Sequence, residues 1–453
     1  MSDIIAACST PPGKGAIAVI RLSGKGCVEL ASRLFSPMPD APGKTRVGYF
    51  SAEFFKDRSV CVYYTAPRSF TGEDMAEFYV HGGIAVVEGV LRACFREGAS
   101  PAERGEFSRR AFVNGKLSLE GAEGAIEMID AECAAGVRYG SDMLSSRLTN
   151  EVREYEKRLL HIASSVEAVL DYPEEDLEEE LKEVNKETFS DIIAALDKTI
   201  ENSRNAPVLK HGADVAIIGQ VNAGKSSLLN ALTMSDRAIV SSRAGTTRDV
   251  LTADLVVEDM LFHLYDTAGL RETDDEIEAE GVKRSKRAAN ECDAVLFVSE
   301  NPVTKKEKDF LLGLNKPYAV VYSKRDLRNE DIDGGMNVSV KWDVSAIKKT
   351  LLSFFPRVSG TVVINARMLR ALTDAKEALE AALHSLSCET MDITAFHIAR
   401  ALDSFGGITG ENASDKVTEE IFRVFKRDSI KRAEAKFRPF TWILNTFVYS
   451  FIF

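Results

Sequence analysis

The sequence predicts a chain of mixed α/β and all-α class: an α+β segment, a helical segment in two halves, and an α/β nucleotide-binding segment inserted between those halves. Three observations predict it. GQVNAGKSS at 219–227 sits between a short apolar run, DVAIIG, and a helix-periodic run, SSLLNALTM. Residues 118–206 and 361–437 repeat apolar positions every three and four residues, with Pro173 the only proline in the first stretch and none in the second. Residues 1–117 instead mix short strand-like runs with Gly and Pro turns.

In chain order, IAVIRLSG, VCVYYTA and MAEFYVHGG read as strands and residues 83–97 as a helix, which makes 1–117 an α+β domain. Residues 118–207 form the first helical half. Pro207 and Gly212 open the α/β segment, 208–358, and Pro356 and Gly360 close it. The helical pattern then resumes over 359–453. Each helical half has too few apolar faces to close a core alone, so the two are expected to pack together, with the α/β segment as an insertion.

The motifs of the α/β segment carry chemistry. Gly219 and Gly224 let the backbone wrap a phosphate, and the amides at the following helix N-terminus favour an anion. Lys225 can reach the outer phosphates, and the Ser226 hydroxyl can ligate Mg²⁺; Asn222, Ala223 and Ser227 complete this loop. GTTRD at 245–249, with Thr246 and Thr247, stands where a first switch belongs. DTAG (Asp266, Thr267, Ala268, Gly269) follows the strand LFHLY. There Asp266 holds Mg²⁺ through water and the Gly269 amide senses a γ-phosphate. SKRD (Ser323, Lys324, Asp326) follows AVVY, and the Asp326 carboxylate can accept two hydrogen bonds from a guanine edge that adenine cannot donate. Four such motifs in this order imply a GTPase. Ser323 stands where GTPases carry Asn, which is expected to weaken base stacking and loop bracing. Ser339 and Lys341 are preferred to Ser345 for the last guanine-binding loop.

Composition sets outer limits. The 453 residues have room for two or three domains, and 45% hydrophobic with 28% charged residues fits a globular chain. A net charge of −12 argues against indiscriminate nucleic-acid binding. Two local basic faces are candidates: Arg92, Arg96, Arg104, Arg109, Arg110 and Lys116, and a second over Arg423–Arg438; a solvated helix face is the plainer reading of each. Seven cysteines without a C-x-x-C pair, a start interrupted by Asp3 and the lack of any long apolar stretch lead to the expectation of a reducing, cytoplasmic setting with no membrane span.

With the motifs in hand, the chain resembles the MnmE/TrmE family of tRNA-modification GTPases. The resemblance extends to STPPGKGAIAVIRLSG at 9–24, APRSFTGEDMAEFYVHGG at 66–83, RGEFSRRAFVNGKLSLEGAE at 104–123 and VEAVLDYPEED at 166–176. It implies an N-terminal folate-binding-like domain that dimerises, a discontinuous helical domain and an inserted Ras-like GTPase domain. It also implies an FAD-dependent MnmG/GidA-type partner in a heterotetramer and a tRNA substrate. The implied product is an aminomethyl or carboxymethylaminomethyl group at C5 of the wobble uridine, its carbon drawn from 5-formyl- or 5,10-methylene-tetrahydrofolate.

By the same resemblance Arg21, Glu77 and Lys116 contact the folate. Residue type alone would make Arg21 and Lys116 surface charges and Glu77 a strand-edge carboxylate. The resemblance further gives K⁺ a shell of Asn222, Thr246 and backbone oxygens at Ser241–Arg243, Ser241 being also a nucleotide contact. Thr247 joins Ser226 on Mg²⁺, and Glu278 acts on the attacking water. Leu270 stands where Ras-type GTPases have a water-orienting Gln. The family usually ends Phe-Cys-Ile-Gly-Lys, whereas here IFRVF is followed by Lys426, so the cysteine tied to modification chemistry is not at its place. That departure keeps a second expectation open, a GTPase assembly factor acting on RNA or ribosomes without modifying tRNA, and a third, a scaffold whose switch gates a partner.

Overall fold

The computed structural model describes residues 4–171, 178–203, 206–220, 222–234, 251–266, 287–328, 330–339, 344–355, 363–388 and 391–410. They cluster into two units. One draws on Met1–Ile126, Met143–Leu196 and Ala366–Phe453, the other on Glu127–Asp142 and Asp197–Asn365.

The first unit opens with β1 (Ile5–Cys8), β2 (Ile17–Ser23), α1 (Cys27–Leu34), β3 (Phe35–Ser36), β4 (Thr45–Ser51), β5 (Lys56–Tyr64), β6 (Met75–His81), α2 (Ile84–Arg96), β7 (Ser100–Pro101) and α3 (Glu106–Val113). Among the described residues these strands form a seven-stranded sheet in the order β3-β4-β5-β6-β2-β1-β7. Side chains alternate between its faces. Ala18, Ile20 and Leu22 join Phe78 and Val80 under α1 and α2. On β1 the intervening Ile5 and Ala7 face the other way and pack with Phe107 of α3. Helices therefore pack on both faces, α3 only over the β1 end of the second. This splits the first basic face read from sequence: Arg92 and Arg96 ride on α2, whereas Arg109 and Arg110 ride on α3, across the sheet. Several of these charges are also paired, Arg96 with Glu53 and Arg110 with both Glu73 and Glu106 at 2.9 Å. The second basic face lies outside the described residues.

Helices follow: α4 (Leu119–Asp130), α5 (Ala134–Leu144), α6 (Arg147–Asp171) and α7 (Glu178–Asn202). Glu120 of α4 supplies acceptors to the α6 N-terminus. Its carboxylate takes the Leu148 and Thr149 amides at 3.2 and 2.7 Å and the Thr149 hydroxyl at 2.7 Å.

The second unit contains α8 (Ala206–His211), β8 (Ala213–Gly219), α9 (Lys225–Met234), β9 (Leu251–Val257), β10 (Met260–Asp266), β11 (Ala294–Ser299), α10 (Lys305–Gly313), β12 (Tyr318–Tyr322), β13 (Met336–Asn337) and α11 (Ser345–Phe354). The described strands run β13-β12-β11-β8-β10-β9, with β9 antiparallel to β10 and the rest parallel. β8 and β11 are apolar but for Asp214 near the start of β8 and Ser299 at the end of β11, because both faces are covered. Leu228 and Leu232 of α9 and Ile347 and Leu351 of α11 pack on one side, and Leu311 of α10 on the other. β8 lies between β10 and β11, so the loop after it opens at the carboxyl edge where the strand order reverses, the usual ligand position in such sheets.

The chain then returns to the first unit with α12 (Ala366–Cys388) and α13 (Met391–Thr409). Arg367 of α12 grips Glu123 of α4 with two bonds of 2.8 Å and also donates to the Gly407 carbonyl. Phe405 of α13 packs against Tyr155 of α6, ring centres 6.1 Å apart. The two helical halves meet, with the α/β segment as an insertion.

Candidate functional site

The phosphate loop begins where β8 meets β11 edge to edge. Gly219 has φ +142°, and a Cβ there would collide with the Val298 carbonyl, so only glycine ends this strand. Asn222 (φ +61°) and Gly224 (φ +86°) also take positive φ, which curls the loop into the α9 N-terminus. Lys225 is buried at 7% exposure and its Nζ donates to the Gly219 and Gln220 carbonyls at 3.0 and 2.6 Å. Burial pushes this ammonium below its ordinary pKa, against the opposing pull of the Asp266 carboxylate. Ser226 donates to Asp266 at 2.6 Å, and Asp266 is fully buried. A hydroxyl and a carboxylate facing each other beside a phosphate loop are the hard oxygen donors that Mg²⁺ takes. Ser227 is exposed on α9.

The base-reading loop reaches the phosphate loop through Ser323. Its buried hydroxyl donates to the Ala223 carbonyl at 2.7 Å, so Ser323 ties the two loops through a single O–H where an Asn side chain would offer two N–H donors. Asp326 sits in a 3-10 turn, Arg325–Leu327, behind Lys324 at φ +55°. Ser339 donates to Asp326 at 3.0 Å, whereas Ser345 opens α11. Ser241, Arg243, Thr246, Thr247, Thr267, Ala268, Gly269, Glu278 and Lys341 lie outside the described residues.

A second site lies on the first sheet. Arg21 of β2 and Glu77 of β6 face each other across adjacent strands, their contacts 2.7 Å and their side chains 8% and 7% exposed. Both are buried on interior strands, unlike the surface charges that residue type alone suggested. Tyr79 donates to Glu77 at 2.9 Å. The Arg21 guanidinium lies 5.1 Å from the Phe70 ring centre and 5.9 Å from that of Phe107. Burial, aided by Glu77, raises the Tyr64 and Tyr79 hydroxyls above their ordinary range. The roofing loop is held in turn: Glu73 accepts from Arg110 at 2.9 Å and from Ser23 at 2.8 Å, and Asn114 donates to the Thr71 carbonyl at 2.7 Å. Lys116 is exposed, and its side chain lies against Gly72 of that loop. Sequence reasoning missed Phe70, Phe107 and Tyr79, although all three lie inside the strings that carry the family resemblance.

Among the described residues Cys8, Cys27, Cys61, Cys94 and Cys292 are buried, and no helix is long and apolar enough to cross a membrane.

Residues 4–116 match the family described as the GTP-binding protein TrmE N-terminus, and residues 119–425 match the MnmE helical domain. The tRNA modification GTPase MnmE of a Thermus thermophilus strain is 36% identical over 443 residues, covering 94% of this chain and 99% of that protein. The tRNA modification GTPase MnmE of Listeria welshimeri is 34% identical over 451 residues, covering 93% and 98%. A crystal structure of Aquifex aeolicus Era bound to GDP and AlF4⁻ overlaps 37% of this chain and 66% of its own at 24% identity and a TM-score of 0.26, so kinship rests on the sequence relatives. The chain belongs to the MnmE family of tRNA modification GTPases.

Proposed function

We propose that this chain hydrolyses GTP with Mg²⁺ and a stimulating K⁺ ion. With an FAD-dependent MnmG/GidA-type protein it installs an aminomethyl or carboxymethylaminomethyl group at C5 of the tRNA wobble uridine. The carbon comes from 5-formyl- or 5,10-methylene-tetrahydrofolate. One observation carries the reading: a buried Arg21–Glu77 pair lies beneath Phe70 and Phe107, in a part of the chain that GTP turnover alone does not require. A carboxylate beside aromatic faces suits a flat heterocycle with N–H donors, and exposed Lys116 suits an anionic tail.

Bound folate supplies the one-carbon unit. In the nucleotide site Lys225 and the loop amides hold phosphates, Ser226, Thr247 and Asp266 serve Mg²⁺, and Asp326, held by Ser339, reads guanine. Asn222, the oxygens of Ser241 and Arg243, and Thr246 would hold K⁺, which would supply positive charge beside the transferred phosphoryl group. Glu278 acts on the attacking water when two GTPase domains pair. A homodimer has support in the first sheet: Val47, Val60, Tyr79 and Val19 fall in register across four strands, and Ile17, Val47 and Tyr49 are 61, 57 and 53% exposed on that face. The proposed setting is cytoplasmic.

The test is nucleoside mass spectrometry of tRNA from a strain lacking the protein, with and without the gene restored. Loss of the wobble C5 group on deletion and its return on restoration is expected. Unchanged uridine would replace this reading by the assembly-factor one. Turnover faster in K⁺ than in Na⁺, with the difference erased by Asn222→Ala, is expected of the ion site.

A further inference from the structure

Beyond SKRD the chain makes an unassigned set of contacts. Arg328, two residues after Asp326, folds its side chain back over the turn it follows. Nη2 donates to the Ser323 carbonyl at 2.7 Å and to the Tyr322 carbonyl at 3.2 Å, and Nη1 donates to the Glu300 carbonyl at 3.3 Å. Its own amide donates to the Arg325 carbonyl at 3.2 Å, and the Leu327 amide to that of Lys324 at 3.0 Å. The turn carrying Asp326 is thus closed at both ends by one residue and tied to the loop after β11.

We propose that Arg328 is a positioning residue for guanine selection: it fixes the turn so that the Asp326 carboxylate meets the base edge. The inference rests on reading Asp326 as the guanine acceptor. Two physical needs support it. An Asn at 323 would bring two N–H donors and an acceptor, whereas Ser323 has a single O–H, and the Ala223 carbonyl takes it. The guanidinium fork of Arg328 adds donors beside it, to the Ser323 and Glu300 carbonyls and to the Tyr322 carbonyl, which also accepts from the Val338 amide at 2.9 Å. Lys324 also holds φ +55°, a conformation that non-glycine residues keep only where surrounding contacts over-determine it. The Arg328 bonds to residues on either side of Lys324 are such contacts.

The experiment is calorimetric titration of the full chain with GDP and with IDP, whose base lacks the 2-amino group that Asp326 accepts. The unaltered chain is expected to prefer GDP; equal affinities would overturn the Asp326 reading and this one with it. Arg328→Ala is expected to weaken GDP about tenfold while IDP changes less than about threefold, so the preference narrows. Arg328→Lys keeps the charge but cannot span the Ser323 and Glu300 carbonyls with one nitrogen, and is expected to fall between. A variant with both ligands weakened equally, or neither, overturns the proposal. Thermal melting checks that Arg328→Ala folds; should it not, the same ratio measured on Arg328→Lys decides.

Discussion

In the six-stranded sheet the phosphate loop is nearly contiguous: Lys225 reaches the Gly219 carbonyl six residues back in the chain. In the seven-stranded sheet Arg21 meets Glu77 across 56 residues, and the aromatic roof comes from two further segments. The first site is written in backbone conformation, through glycines and positive φ at a strand-to-helix turn. The second is written in burial, through charges that strand pairing takes out of water. A backbone-written site separates function from stability, since its loop takes its shape from glycines and positive φ and not from the side chains that serve the ligand. A burial-written site joins them, since removing one partner leaves a charge stranded in the core.

The largest effect that tests this contrast is in turnover. Lys225→Ala is expected to lower GTP hydrolysis by about 10²–10³-fold, the scale of losing one preorganised charge at the reacting phosphates. Its thermal midpoint should barely move, because the Lys225 ammonium is already disfavoured by burial. Steady-state hydrolysis and melting on the same preparation check both halves. A large fall in stability would show that the phosphate loop, too, is bound into the core.

Next comes the buried pair. Arg21→Ala or Glu77→Ala is expected to destabilise the first unit by about 3–5 kcal/mol, because each leaves an uncompensated charge. Arg21→Ala together with Glu77→Ala should cost less than the sum of the single changes, since no charge is left behind. Denaturant unfolding followed by near-ultraviolet dichroism measures the cycle. Additive costs would mean that the two residues do not act as a pair.

These two sites also differ in how much of them the sequence discloses. GQVNAGKSS with its flanking strand and helix locates the phosphate loop at once, because spacing along the chain is spacing in space there. Strand alternation likewise marks Ile20, Leu22 and Phe78 as core. Nothing local marks Arg21 or Glu77 as buried: charged residues default to the surface, and only the pairing of β2 with β6 reverses that. The first basic face is too wide as read from sequence for a related reason, since a sheet stands between α2 and α3 and a list of arginines does not show it. The bracing role of Ser323 is hidden because its acceptor, Ala223, lies 100 residues away. Arg328 carries no signal at all, since its role depends on a side chain folding back over a turn.

The smallest effect separates the two sheets by their thiols. Burial pushes Cys27, Cys61 and Cys94 of the first unit up to about 12 from 9.0, with Asp74 adding to the effect on Cys27 and Glu77 to that on Cys61. In the second unit Cys292 is raised to about 12 in the same way, with help from Asp214 and Asp293. A folded pKa above the unfolded one means that the native state holds its proton more tightly. The stability this gives is full below pH 9 and is lost as pH rises toward 12. Between pH 9 and pH 10 the loss is about 1 kcal/mol per thiol. Among the described residues the first unit holds three such thiols to the second unit's one, so it should weaken more steeply between pH 9 and 10, and Cys94→Ala should reduce that steepness by about one thiol's share. Unfolding midpoints of the full chain at pH 8, 9 and 10, with near-ultraviolet signals assigned to each unit, read the difference. Equal slopes in the two units would mean that these thiols ionise with water at hand, and that the first sheet is not sealed in the way its buried ion pair requires.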